Sequence, residues 1–142
     1  MIRKFQDTDL DEISTIWLDT NIKTHYFIPA QYWQGNFELV KEMFLQAEIY
    51  VYEDEKTNKL QGFIGLVDKY IAGIFVCSDV QSNGIGKQLL DVVKRSKEEL
   101  NLSVYQKNVR AVSFYQREGF KIINEDIDKD TQEKEYWMIW KQ

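Results

Sequence analysis

The spacing of apolar side chains constrains the fold of this chain more than any other feature. After a short predicted N-terminal strand over residues 1–5, apolar residues recur at helical intervals up to Gln46. From Glu48 they alternate with polar residues, which is typical of half-buried strands, and helical and alternating segments then follow each other to the C-terminus. This order predicts a mixed α/β sheet with helices on both faces.

Two helices are predicted before the main strands. The first begins at a cap formed by Asp7 or Thr8 and precedes a loop over residues 21–29. The second helix is predicted over residues 30–46. The expected buried face of the first helix consists of Leu10, Ile13, Ile16 and Trp17. The expected buried stripe of the second consists of Leu39, Val40, Met43 and Phe44.

Most strands of the sheet are predicted from residue 49 onwards. Residues 49–52, 60–67 and 70–77 are predicted to form an antiparallel meander, with a polar turn over 53–59. A strand over 102–105, a helix over 109–118 and a final strand pair over 120–123 and 136–140 follow, with an exposed loop over 126–135. The helix between these groups is predicted over residues 84–100, with inward positions Ile85, Leu89, Val92, Val93 and Leu100. The predicted order is β-α-α-β-β-β-α-β-α-β-β.

Composition narrows the classes of function. A net charge of −5 argues against nucleic acid as a partner, because phosphate contacts need a concentrated basic surface. No apolar run approaches the length of a membrane span and the N-terminus lacks a leader pattern, so we expect a cytoplasmic protein with no membrane partner. The single cysteine excludes an internal disulfide and a multi-cysteine zinc site, and no metal is expected.

Residues 74–87 predict a loop that binds an anion. A buried strand ends near Cys77, a polar turn follows, and a helix opens at Gly84 and Gly86. Glycine allows a tight turn and a close approach of the backbone to a ligand. The first N–H groups of a helix have no internal partner, and the helix dipole adds partial positive charge there. These features suit a diphosphate, although two glycines alone are equally compatible with an ordinary strand-to-helix turn.

Other nucleotide-binding loops do not fit this segment. A Walker loop requires Gly-Lys-Ser/Thr after a four-residue gap, but Gly86-Lys87 is followed by Gln88. The dinucleotide fingerprint requires a third glycine, and residue 89 is leucine.

Two motifs give the chain a family resemblance. Gln81-x-x-Gly84-x-Gly86 resembles the Arg/Gln-x-x-Gly-x-Gly/Ala signature of the GNAT family, the GCN5-related N-acetyltransferases. Residues 108–120 resemble that family's Asn-x-x-Ala-x-x-Phe-Tyr-x-x-x-Gly-Phe segment. The predicted strand order also matches the family over the whole chain. Residues 24–28 and 104–108 further resemble small bacterial members of the YiaC/YjaB type.

The resemblance implies a single N-acetyltransferase domain over residues 1–142 that uses acetyl-CoA. In this family the cofactor lies where two central parallel strands of a mostly antiparallel sheet splay apart. Carried over, the backbone of Ile74, Phe75 and Val76 would bind the pantetheine arm. Backbone amides of the following loop would bind the diphosphate. The loop residues implied are Gln81, Ser82, Asn83, Gly84, Ile85 and Gly86.

Two further residues match functional positions of the family. Asn108 matches an asparagine that contacts the cofactor arm, and it is equally suited to cap the helix that follows. Tyr115 matches a tyrosine that protonates the departing CoA thiolate. A phenol with a pKa of about 10 stays protonated at neutral pH and can donate to developing negative charge. The alternative for Tyr115 is an aromatic residue of the core.

The sequence leaves the general base and the acceptor open. Many members carry a carboxylate at positions that here correspond to Ala72 or Gly73, and to Ser103, none of which is a useful base. Neutralising a lysine of pKa about 10.4 at pH 7 costs about 4.6 kcal/mol, against about 1 kcal/mol for an α-amine of pKa about 7.8. The missing carboxylate therefore favours an α-amine or another amine of low pKa, whereas the resemblance to the branch points to protein lysine. The acceptor is therefore left open between a protein lysine, a protein N-terminus and a small-molecule amine.

The predicted substrate side of the site contains His25 and an aromatic group. His25 suits a proton relay because its ordinary pKa is about 6.5, or it packs within its loop. The aromatic side chains could line an acceptor pocket, or pack between the first two helices. They are Tyr26, Phe27, Tyr32 and Trp33.

Three functions compete at this point. The leading hypothesis is an enzyme in which the amine attacks the thioester directly. The missing carboxylate supports a second, an acyl-CoA sensor of weak or no activity. A third is a protein-interaction domain whose glycine loop is only a turn. Many members of the family dimerise, so a homodimer is an open expectation, although no segment carries an interface signature.

Overall fold

The computed structural model describes residues 1–142 and contains one seven-stranded sheet and five α-helices. The strands are β1 Ile2–Lys4, β2 Glu48–Glu53, β3 Leu60–Val67, β4 Tyr70–Val76, β5 Glu99–Tyr105, β6 Lys121–Ile127 and β7 Lys134–Lys141. The helices are α1 Leu10–Thr24, α2 Ala30–Gly35, α3 Phe37–Phe44, α4 Ile85–Lys94 and α5 Val109–Arg117.

The sheet has the order β1-β2-β3-β4-β5-β7-β6, and β4–β5 is its parallel pair. These two strands pair at one position, Tyr70 opposite Asn101. On its other side β5 pairs with β7 over its full length, from Glu99 to Tyr105. The parallel strands therefore separate beyond Tyr70. This confirms the predicted mixed, mostly antiparallel sheet with splayed central strands.

Helices cover both faces of the sheet, as predicted. One hydrophobic core lies under α1, α2 and α3 and contains Ile13, Trp17 and Phe63. The other lies under α4 and α5 and contains Leu89 and Tyr115. Neighbouring residues of a strand point to opposite faces, so each central strand contributes to both cores. None of the helices has both the length and the apolar character needed to cross a lipid bilayer.

The predicted second helix is two helices. The chain breaks at Asn36, which has φ −98° and ψ 2° and whose Nδ2 donates to the carbonyl oxygen of Tyr32 at 2.7 Å. The break turns α3 relative to α2, so the predicted buried stripe is wrong at two positions. Leu39 is 56% exposed and Met43 is 57% exposed, whereas Phe44 packs against the sheet.

The start of α1 also differs from the prediction. A single 3-10 turn, Asp7–Asp9, precedes the helix, which begins at Leu10, so neither Asp7 nor Thr8 is its cap. The Asp9 carboxylate accepts from the N–H of Gln6 at 2.8 Å and pairs with Arg3 at 2.8 Å. At its other end α1 continues to Thr24, into the predicted loop.

Two later boundaries are also wrong. The predicted helix over 84–100 ends at Lys94, and Leu100 is fully buried in β5 rather than in a helix. Leu100 satisfies the helical period of α4 and also the alternation of β5, so periodicity could not place it. The predicted loop over 126–135 is shorter, because β6 reaches Ile127 and β7 begins at Lys134. Every residue of β6 is exposed, so that strand lacks an apolar alternation.

Gly62 provides a test of how β3 and β4 pack below the start of α4. A Cβ at this position would lie 2.8 Å from the carbonyl oxygen of Phe75 and 3.3 Å from Cγ2 of Ile85. Because the backbone of β4 cannot move freely, we expect Gly62→Ala to lower the free energy of unfolding by about 1–3 kcal/mol in urea denaturation. Gly35→Ala is the control, since its Cβ would meet nothing within 4 Å. Equal stability of the two variants would contradict this packing.

Candidate active site

The loop between β4 and α4 presents a run of free backbone N–H groups. Ser82 and Gly84 adopt left-handed conformations, with φ of +69° and +80°, and turn the chain into α4. No N–H group of residues 81–87 donates a hydrogen bond within the protein. Intrahelical pairing begins with the N–H of Gln88, which donates to the carbonyl oxygen of Gly84 at 3.0 Å. The loop therefore offers unpaired donors together with the positive end of the α4 dipole.

Side chains brace this loop from two directions. Gln81 Nε2 donates to the carbonyl oxygen of Val76 at 3.0 Å. Arg110, in the first turn of α5, donates from Nη1 to Gln81 Oε1 at 3.1 Å and from Nη2 to Ser82 Oγ at 2.7 Å. These bonds place a guanidinium charge beside the free N–H groups. Sequence reasoning missed Arg110, because it occupies an unspecified position of the Asn-x-x-Ala motif.

The end of β4 faces the gap between the parallel strands. Ile74 packs towards the core under α4, and Phe75 stacks on Phe63 in the other core at 5.0 Å between ring centroids. Strand β5 pairs with none of Ile74, Phe75 and Val76. Their side chains thus belong to the cores while the backbone edge towards β5 stays open. That arrangement suits the predicted backbone contacts to a cofactor arm.

Tyr115 combines a packed ring with a free hydroxyl. The ring centroids of Phe114 and Phe120 lie 5.3 and 5.4 Å from its own. The hydroxyl has no hydrogen-bond partner within the protein. It is not shut off from solvent, unlike Trp33 Nε1, the one fully buried side-chain polar atom that lacks a partner. Burial, and then the proximity of Tyr70, raises the pKa of Tyr115 above its ordinary value. The phenol is therefore protonated at any working pH.

Asn108 and His25 are brought together by the fold. Asn108 caps α5, where its Oδ1 accepts from the N–H of Ala111 at 3.2 Å. Its Nδ2 lies 3.2 Å from Nε2 of His25, and Nδ1 of His25 lies 3.0 Å from Oδ1 of Asn21. Burial lowers the pKa of His25 to about 4. His25 is thus neutral at pH 7 and both of its ring nitrogens have partners.

Two of the other predicted substrate-side residues contact His25 directly. Trp33 stacks on the imidazole at 5.5 Å between ring centroids, and Phe27 meets it edge-on at 5.6 Å. Tyr32 packs against Trp33 at 4.9 Å. Tyr26 is 81% exposed and touches the group only through Phe27. Trp33 itself is buried, so it packs rather than lines an open pocket.

Sequence reasoning missed Tyr105 and a group of carboxylates near it. Tyr105 meets His25 edge-on at 5.1 Å and donates from its hydroxyl to Oδ2 of Asp128 at 2.7 Å. Glu135 lies opposite Tyr105 in the β5–β7 pair, and Asp126 lies opposite Glu135 in the β6–β7 pair. Burial raises the pKa of Glu135, and Asp128 and Asp126 raise it further. The carboxylates Asp126, Asp128 and Glu135 fell in the segment predicted to be a loop, where their charges indicated only exposure.

The comparisons with known proteins decide the family. Residues 46–122 match the family model described as an acetyltransferase (GNAT) domain. The chain is 36% identical to the peptidyl-lysine N-acetyltransferase YiaC of Escherichia coli over 142 residues, which cover 99% of this chain and 96% of YiaC. The chain belongs to the GNAT family.

Further GNAT relatives agree with the predicted branch. The chain is 29% identical to the peptidyl-lysine N-acetyltransferase YjaB of Escherichia coli, over 85% of this chain and 82% of YjaB. The solution structure of apo YjaB superimposes with a TM-score of 0.85, at 26% identity, over 99% of this chain and 96% of that one. The CoA complex of the PaiA N-acetyltransferase of Thermoplasma acidophilum has the same fold, with a TM-score of 0.83 at 22% identity over 100% and 98%.

As a GNAT enzyme, the chain transfers an acetyl group from acetyl-CoA to an amine. The residues of the site fit this cofactor. Unpaired N–H groups of residues 81–87 and the charge of Arg110 match a diphosphate. The open edge of β4 offers backbone groups to an amide-bearing arm. No set of three or more His, Cys, Asp or Glu side chains is arranged to hold a metal ion.

The two glycines of the loop should differ in their tolerance of alanine. Gly84 has φ +80°, where a Cβ costs about 1–2 kcal/mol, so we expect Gly84→Ala to weaken CoA binding about tenfold in isothermal titration calorimetry. Gly86→Ala is the matched control. Its Cβ would lie 3.7 Å from Cζ of Phe114, an ordinary contact, and its CoA affinity should match the parent. Parental affinity in the Gly84 variant would show that the loop conformation does not matter.

Proposed function

We propose that this GNAT enzyme acetylates lysine side chains of proteins or peptides, with Tyr115 as hydrogen-bond donor to the departing sulfur and Glu135 as proton acceptor. The observation that carries the proposal is the group of carboxylates beside Tyr105, which favours a cationic acceptor. The relatives YiaC and YjaB are peptidyl-lysine N-acetyltransferases, which supports the same acceptor for this chain.

The carboxylates are placed to attract an ammonium group. Asp128 is held on the hydroxyl of Tyr105. The pKa of Tyr32 is raised by burial and then by Asp128, Asp130 and Glu135, so these three carboxylates lie near the Tyr32 hydroxyl. An ammonium gains from both carboxylates and aromatic faces. A neutral or anionic acceptor would gain little from this arrangement.

Glu135 supplies the base that the usual strand positions lack. A lysine acceptor must lose a proton before it attacks, and Ser103 and Gly73 cannot accept one usefully. A half-buried carboxylate with a raised pKa binds a proton more readily than an ordinary one. We therefore assign to Glu135 the proton of the bound ammonium, taken directly or through one water.

Acetyl-CoA supplies the acetyl group as a reactive thioester. The N–H groups of residues 81–87 and Arg110 bind the diphosphate, and the backbone of Ile74, Phe75 and Val76 together with Asn108 orients the arm. Tyr115 donates its O–H to the departing sulfur as negative charge develops there. A thiol has a pKa of about 8.5, below that of the buried phenol, so this hydrogen bond contributes more than a completed proton transfer.

Removing the Tyr115 hydroxyl should slow the reaction without loosening the cofactor. We expect Tyr115→Phe to lower kcat about 10²- to 10³-fold, the range for loss of one hydrogen-bond donor to developing negative charge, in an assay of free-thiol release. The ring contacts to Phe114 and Phe120 remain in this variant, so the CoA dissociation constant should stay at the parental value. An unchanged kcat would remove Tyr115 from the mechanism.

Loss of the Glu135 carboxylate should depend on the acceptor. We expect Glu135→Gln to lower kcat/KM at pH 7 about 10²-fold or more for a lysine peptide, and less for an α-amine of pKa about 7.8 that is partly neutral already. The pKa of Glu135 is raised, so the activity of the parent enzyme towards lysine should fall as the pH drops through that pKa. The pH–rate profile of the Glu135→Gln variant should lack this fall.

Glu55→Gln is the control for Glu135→Gln, since Glu55 is an exposed carboxylate in the turn between β2 and β3. It should behave as the parent with both acceptors. Equal losses of the Glu135 variant on lysine and α-amine acceptors would mean that Glu135 is not the base. Parental activity confined to α-amines would contradict the lysine proposal.

A further inference from the structure

We infer that His25 is a positioning residue, a neutral imidazole protonated on Nδ1 that ties α1 to the cap of α5 and fixes the amide of Asn108. The inference rests on the proposed role of Asn108 at the cofactor arm. It assigns to His25 no part in moving the acceptor's proton.

The direction of each hydrogen bond in the series Asn21–His25–Asn108 follows from the backbone groups that bind the two asparagine side chains. Asn21 Nδ2 donates to the carbonyl oxygen of Trp17 at 2.9 Å, which leaves Asn21 Oδ1 as the acceptor facing Nδ1 of His25 at 3.0 Å. Asn108 Oδ1 accepts from the N–H of Ala111 at 3.2 Å. Its Nδ2 therefore donates to Nε2 of His25 at 3.2 Å. Only the neutral Nδ1–H tautomer satisfies both contacts.

The surroundings of the ring favour the same neutral form. Trp33 of α2 stacks on it, and Phe27 and Tyr105 of β5 meet it edge-on. Among these contacts Tyr105 is the titratable group, and its hydroxyl is engaged by Asp128 rather than by His25. The ammonium nitrogen of Lys107 lies over the ring of Phe27, 5.3 Å from the ring centroid, and not over the imidazole. No carboxylate bonds to the imidazole, and burial lowers its pKa to about 4.

A charged His25 would disturb the start of α5. With protons on both nitrogens, Nε2–H would face the N–H groups of Asn108, and two donors repel each other. Asn108 could then turn its amide only by giving up the N–H of Ala111, its capping contact. The first turn of that helix carries Arg110, which braces the phosphate loop. The orientation of the cofactor side of the site thus depends on an uncharged ring.

The charge and tautomer of His25 can be measured without any activity, because it is the one histidine of the chain. In an NMR titration of the full-length protein we expect its pKa well below 6.5, with the proton on Nδ1 at pH 7. Asn21→Asp replaces the amide by a carboxylate, which should stabilise the imidazolium and raise that pKa. An imidazole that titrates near 6.5 in the parent, or one protonated on Nε2, would overturn the inference.

Kinetics of two variants separate positioning from proton transfer. His25→Gln keeps an oxygen that can accept from Asn108, whereas His25→Leu keeps none. We expect the Leu variant to raise both KM for acetyl-CoA and the CoA dissociation constant about tenfold, and the Gln variant to restore most of the loss, with kcat for lysine peptide within about threefold of the parent in both. Equal behaviour of the two variants, or a large loss of kcat in both, would overturn the inference. The Tyr115 and Glu135 variants test the proposed function separately, since neither alters the His25 titration.

Discussion

The separation of β4 from β5 is the constraint on which the rest of the site depends. Two adjacent parallel strands normally satisfy each other's backbone groups, but here pairing stops after Tyr70 and Asn101. The sheet tolerates this gap because each strand is held firmly on its other side, β4 by β3 and β5 by β7. The gap leaves polar backbone of β4 for a ligand.

The candidate site contains two groups of residues that differ in charge and in hydrogen-bonding character. On the cofactor side all groups donate or are positive: the N–H groups of the loop, the α4 dipole and Arg110. On the proposed acceptor side, Glu135 and Asp128 lie beside Tyr105 and the aromatic side chains around His25. The proposed site therefore offers donors to an anionic cofactor and carboxylates to a cationic acceptor. The contact between His25 and Asn108 joins the end of α1 to the start of α5.

The sequence predicted the parts of this arrangement that are local. The glycine loop before α4 and the alternation of β2, β3 and β4 carry their own signals, and so does the Asn108 cap. Leu100 was misplaced because it fits a helical and an alternating period equally well. The residues and contacts that were missed act across the fold. Arg110 reaches a loop 29 residues away, and His25 meets Asn108 across 83 residues. Glu135 becomes a candidate base only because strand register sets it opposite Tyr105.

The central claim is that the main-chain amides of residues 81–87 bind the diphosphate of CoA. Amide chemical shifts and hydrogen exchange, followed by NMR during titration with CoA and separately with pantetheine, test it most directly. CoA should shift these amides and slow their exchange, whereas pantetheine, which lacks the diphosphate, should leave them unchanged. Saturation of the protein with CoA while these amides keep their free shifts and exchange rates would contradict the claim.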